Sequence, residues 1–185
     1  MNAPLILSLL LAATPILVVG QSEKGPPGEV KIYDIKDCDS VLNKVEFEAK
    51  MQTESDDTDT FSMSFKIPSD YGDNVLVTIL ADTLDGDEWK ENAYHFDDEK
   101  FFASVNNFCP KIWEHMRSKM EPKIAEPGEI LAGSYTLEGF TATYTEITVP
   151  QVPYGKARLT ATVTVDDEDV LCQKVELEFF KPSLR

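Results

Sequence analysis

The chain has 185 residues, 33 of them acidic and 17 basic, and a formal net charge of −16. Such acidity argues against nucleic-acid binding and anionic membrane surfaces, since both attract faces rich in Lys and Arg. Without a CxxC pair or a His/Cys cluster there is no basis for a zinc site, and a chain of this size can bury about 70% of its unfolded surface and so needs no metal to fold.

The first element is an uncharged apolar run from Leu5 to Val19, ending in Val18-Val19-Gly20. It reads as a signal peptide over residues 1–20. A stable membrane anchor would need about 20 apolar residues, so release from the membrane and a secreted, extracellular location are expected, with Gln21 as the mature N-terminus. Residues 21–29 read as a flexible leader in which Pro26-Pro27-Gly28 block regular structure until Val30. A single domain over 30–185 follows.

Val45, Phe47, Ala49 and Met51 alternate with Glu46, Glu48 and Lys50, and Phe61, Met63, Phe65 and Ile67 alternate with Ser62, Ser64 and Lys66. Both segments are half-buried strands, joined by an acidic solvated turn from Glu54 to Asp59. The continuous apolar run Val75 to Ala81 reads as a strand buried on both faces. Near the C-terminus, Leu159, Ala161, Val163 and Val165 alternate with threonines, Asp166 to Asp169 reverses the chain, and Val175, Leu177 and Phe179 alternate with Glu176 and Glu178. That is a hairpin. Several such strands, each with one apolar face to cover, make a mainly β, two-sheet antiparallel β-sandwich or β-cup.

The middle of the chain changes period. Phe101, Val105, Phe108/Cys109, Ile112, Met116 and Met120 recur every three or four residues, the helical spacing. Pro110 is tolerated in a first turn and not in an interior, so two short helices are expected, about 98–107 and 110–120. Asp97 or Asp98 is the expected cap of the first.

Catalytic chemistry finds little support. His95 and His115 are the only histidines, and no serine stands in a nucleophile-elbow context; His115 reads as solvent-facing. The acid pairs Asp97/Asp98 and Asp166/Asp167 fall at a helix start and a hairpin tip, where capping and turn chemistry explain them. What stands out is an apolar surplus, with Phe101, Phe102, Phe108, Ile112, Trp113, Met116 and Met120 crowded into twenty residues. Phe102 and Trp113 lie beside the main stripe and widen it, and methionine adapts to irregular apolar partners.

Three cysteines in an exported chain imply one disulfide and one remaining thiol, and spacing leaves all three pairings open. From Glu129 onward the sequence resembles the ganglioside activator proteins of the ML-type lipid-recognition group. The resemblance rests on Gly133-Ser134-Tyr135-Thr136-Leu137, Val149-Pro150-Gln151-Val152-Pro153, Gly155-Lys156-Ala157-Arg158-Leu159 and Leu171-Cys172-Gln173-Lys174-Val175. Asp37-Cys38-Asp39 is similar to that family's first cysteine position, and Phe108-Cys109 to a further one. Secreted insect proteins, some from chemosensory organs, are similar in the same way. The resemblance implies an immunoglobulin-like β-cup holding acyl chains, a Cys38–Cys172 disulfide between first and last strands, and Cys109 without its family partner. By parity Cys172 shares a side with Lys174, Glu176 and Glu178, so the N-terminal segment is expected across that outer side. Several cysteines of the lysosomal activator's central loops are missing here, which sets this chain apart from glycolipid presentation to a hydrolase.

Together these readings point to a non-catalytic carrier that needs no cofactor and binds a lipid or other apolar small molecule between two sheets, under a helical lid. The ligand-binding candidates are Phe61, Met63, Phe65, Val77, Ile79, Phe102, Trp113 and Met116, while Val105 and Ile112 hold the helices on the sheets. The competing reading is an extracellular interaction module with a packed core, whose acidic surface docks a protein receptor or other basic partner.

Overall fold

The computed structural model describes residues 23–26, 28–39, 44–53, 59–141 and 151–182. The expected signal peptide, the acidic turn after Thr53 and the Val149-Pro150 pair lie outside them. In chain order the elements are β1 (Lys24–Gly25), β2 (Val30–Asp37), β3 (Glu46–Thr53), β4 (Asp59–Ile67), β5 (Val75–Asp85), β6 (Glu88–Asp98), α1 (Phe101–Phe108), α2 (Pro110–Lys119), β7 (Gly133–Phe140), β8 (Val152–Pro153), β9 (Gly155–Val165) and β10 (Glu168–Phe179).

Alternation places the strands as expected. A five-stranded antiparallel sheet has the order β2-β10-β9-β5-β6, and a three-stranded one β3-β4-β7. The inner faces contribute Val75, Val77, Ile79 and Ala81 from β5, Ala157, Leu159 and Ala161 from β9, Val175, Leu177 and Phe179 from β10, and Phe61, Met63 and Phe65 from β4, all in one apolar cluster. The fold is thus mainly β, two sheets sharing one interior. The β9–β10 hairpin turns at Asp166 and Asp167, both at positive φ (50° and 65°). Two left-handed residues in succession match the right-handed twist of the flanking strands, and Asp tolerates that conformation better than most residues.

Several expectations need correcting. The run Val75 to Ala81 was expected to be buried on both faces, but only alternate residues of β5 are buried; Leu76, Thr78 and Leu80 are partly exposed. Among the described residues, the chain before Cys38 does not cross the outer side of β10. Instead β2 pairs with β10 in the plane of the sheet, Asp37 opposite Gln173, and the Cys38 N–H continues the ladder to the Cys172 carbonyl at 3.1 Å. Within the segment expected to lack regular structure before Val30, Lys24 and Gly25 pair with Pro153 and Val152.

Helix α1 begins at Phe101 rather than at 98. Asp97 and Asp98 are the last residues of β6, and Lys100 occupies the capping position without a side-chain bond. Pro110 sits in the first turn of α2 as expected, where its missing N–H has no intrahelical role. Helices this short are marginal in isolation; they persist because Phe101, Phe102, Val105, Ile112, Trp113 and Met116 are buried, each large apolar side chain contributing about 1.5–3 kcal/mol over exposure. Helix α1 packs on β5 and α2 on β7, so the pair bridges the two sheets on the side where β6 and β7 are edge strands.

Candidate functional site

All eight ligand-binding candidates lie in the apolar cluster between the sheets. Phe61, Met63 and Phe65 come from β4, the middle strand of the smaller sheet, and Val77 and Ile79 from β5 in the larger one. Phe102 of α1 and Trp113 of α2 meet with ring centroids 5.9 Å apart, and Phe101 packs on Phe102 at 5.0 Å. The helices therefore bring Phe102 and Trp113 together. The candidates omitted the whole β7 contribution, in which Tyr135, Leu137 and Phe140 are buried and Tyr135 stacks on Phe65 at 5.2 Å. The alternation of Tyr135 and Leu137 was the available signal; it breaks at a register irregularity before Phe140 pairs with Phe61.

The segment 121–132 is held over the helices by side-chain donors bonding to its backbone carbonyls. The Trp113 indole N–H and the Asn106 amide both donate to the Pro127 carbonyl at 2.8 Å. Arg117 donates through Nη1 to the carbonyls of Ile124 (3.1 Å) and Ala125 (2.8 Å), with its guanidinium 5.8 Å from the Trp113 ring centroid. Trp113, only 2% exposed, thus packs the interior and also pins this segment. His115 is half-buried rather than solvent-facing, its ring centroid 4.7 Å from that of Phe140, because α2 lies flat on β7.

On the opposite side a covalent bond ties the end of β2 to β10 within the larger sheet. Cys38 and Cys172 form a disulfide with a Cα–Cα distance of 5.4 Å, linking positions 134 residues apart. Beside it the Lys44 and Val45 N–H groups donate to the Val170 carbonyl at 2.8 and 3.1 Å, joining the start of β3 to β10. Cys109 is a buried thiol outside the disulfide.

Three buried side-chain polar atoms have no hydrogen-bond partner among the described residues, on Asp98, Tyr71 and Arg117, the last through Nε. Asp98 is 7% exposed and pairs with Val77 across β5 and β6. Its Oδ1 accepts the Lys100 N–H at 2.9 Å, while Oδ2 is buried with no hydrogen-bond partner among the described residues. Tyr71, also 7% exposed, has a buried hydroxyl in the same condition. Burial raises the Tyr71 phenol above its ordinary pKa, so it keeps its proton through the neutral range and can donate.

Among the described residues no group of three or more His, Cys, Asp or Glu could hold a metal ion, and no helix is long and apolar enough to cross a membrane. No protein-family model matches the chain, and no curated protein matches it. Among solved structures, chicken MD-1 complexed with lipid IVa is similar, with a TM-score of 0.40 and 14% identity over 87% of this chain and 100% of that one.

Proposed function

We propose that the protein is a secreted, non-catalytic carrier holding one lipid or other long apolar molecule between its sheets, beneath α1 and α2. The observation that carries this reading is the manner in which the β6–β7 side is closed. No ladder joins those edge strands among the described residues, so the two short helices can part from them without breaking a sheet ladder, while segment 121–132 stays tied by the backbone pairs Glu121–Thr136 and Tyr71–Ile130. Phe61, Met63, Phe65, Val77, Ile79, Phe102, Trp113 and Met116 supply the contact surface, with methionines adjusting to ligand shape. Burial drives binding at about 0.8 kcal/mol per methylene, so an alkyl chain is held with few polar contacts. The sequence resemblance to the ganglioside activator group supports the same reading, and the Cys38–Cys172 disulfide fits an oxidising, extracellular compartment.

The test is titration of the purified protein with pyrene-labelled dodecane, together with mass spectrometry of organic extracts of protein from its native source. Saturable one-to-one binding and a co-purifying apolar molecule are expected. Absence of both would replace the carrier with a packed interaction module.

A further inference from the structure

We propose that the Asp98 carboxyl anchors the ligand's head group, and that the preferred ligand is a long-chain alcohol rather than a fatty acid. This rests on the carrier reading and adds the class of ligand to it. Directly opposed residues of an antiparallel pair point to the same face. Val77, opposite Asp98, is 1% exposed and belongs to the apolar cluster, so the carboxyl faces the shared interior.

Buried polar atoms are nearly always hydrogen-bonded, and leaving one unpaired is costly. The Lys100 N–H accounts for Oδ1 and leaves Oδ2 to be satisfied. A carboxylate only accepts, so it calls for a donor and repels a second carboxylate. An ammonium head would meet the hydrogen-bond requirement, but a second ion must also be stripped of its water. A hydroxyl donates without that penalty.

Tyr71 places a second polar atom at the same end of the sandwich. Its N–H and carbonyl bond Ile130 at 2.9 and 2.8 Å, immediately before β5 begins. Val75 starts β5 two residues from Val77, and β6 ends at Asp98. That end therefore carries two of the three buried unpaired polar atoms, and the alkyl chain runs away from it between β4 and β5.

The experiment is competition against pyrene-labelled dodecane by dodecanol, dodecyl methyl ether and dodecanoate. The ether keeps the oxygen and lacks the donor. Wild type is expected to bind dodecanol at least tenfold tighter than either competitor. Asp98→Asn keeps an acceptor for the Lys100 N–H and puts an amide donor in place of Oδ2, so the alcohol-to-ether ratio should fall to near one while dodecanoate gains. Equal binding of all three by wild type, or an unchanged ratio in Asp98→Asn, overturns the inference and leaves the carrier intact. Failure of wild type to bind the probe or any competitor removes both.

Discussion

Where β10 meets β3, the two sheets are joined by the Lys44 and Val45 N–H groups on the Val170 carbonyl, beside a β10 that the Cys38–Cys172 bond and the β2 ladder fix within the larger sheet. On the helical side the sandwich is closed by side chains, Phe102 on Trp113 and Trp113, Asn106 and Arg117 reaching backbone carbonyls between Ile124 and Pro127, over a segment that the backbone pairs Glu121–Thr136 and Tyr71–Ile130 hold in place. The first side opens only by breaking backbone bonds between the sheets, whereas lifting the helices on the second separates packed rings and a few side-chain hydrogen bonds and leaves the backbone pairs of segment 121–132 intact. Local opening follows the cheaper set of contacts, so in the proposed carrier the first side is the seam and the helical side the mouth.

The contrast can be broken most severely at the seam. Replacing Cys38 and Cys172 together by Ser is expected to cost about 4 kcal/mol of stability, read as a lower denaturant midpoint, with alkyl-probe affinity of the folded fraction unchanged. Loss of affinity without loss of stability would contradict the division. On the mouth side, Ile112→Ala should cost about 3 kcal/mol, because a fully buried side chain leaves a cavity behind, again with near-normal affinity per folded molecule. Trp113→Phe keeps most of the ring and loses the bond to the Pro127 carbonyl. It should cost about 1 kcal/mol and quicken probe association and release; unchanged probe kinetics would separate segment 121–132 from access.

The smallest expected effect is electrostatic and lies beside the seam. The hydrogen bond and charge of Lys174 hold the exposed Asp39 carboxyl below its ordinary pKa. A folded pKa below the unfolded value of about 3.9 gives stability that is present above that value and is lost as pH falls through the folded pKa. Lys174→Met should therefore lower stability slightly at neutral pH and not at all below the folded pKa, which flattens the acid limb of the stability profile. An unchanged acid limb would show that the pair adds nothing to the seam.

How much of this was readable in the sequence depended on parity. Strands β3, β4, β9 and β10 alternate cleanly because one face of each is buried, and that periodicity survives in the residues. Strand β6 was not legible: Glu88–Asp98 is mostly polar, and its pairing with β5 shifts register between Ala81 and Thr83, near Asn92 at a φ of 49°. Tyr94 and Phe96 consequently pair with the inner face of β5, while Trp89 pairs with Leu84 beyond the shift. With β6 missing, Asp98 read as a helix cap, since only its register opposite Val77 turns it inward. The helical stripe was clear, yet spacing could not reveal that Trp113 also donates to a loop carbonyl fourteen residues on.

The central claim is that ligand enters on the helical side and rests between the sheets, and hydrogen–deuterium exchange with and without saturating pyrene-labelled dodecane tests it most directly. Exchange should slow across residues 101–132 and along β4 and β5, with β2 and its pairing to β10 unchanged. Binding that protects β2 and the outer face of β10, while α1, α2 and segment 121–132 exchange as before, would contradict it.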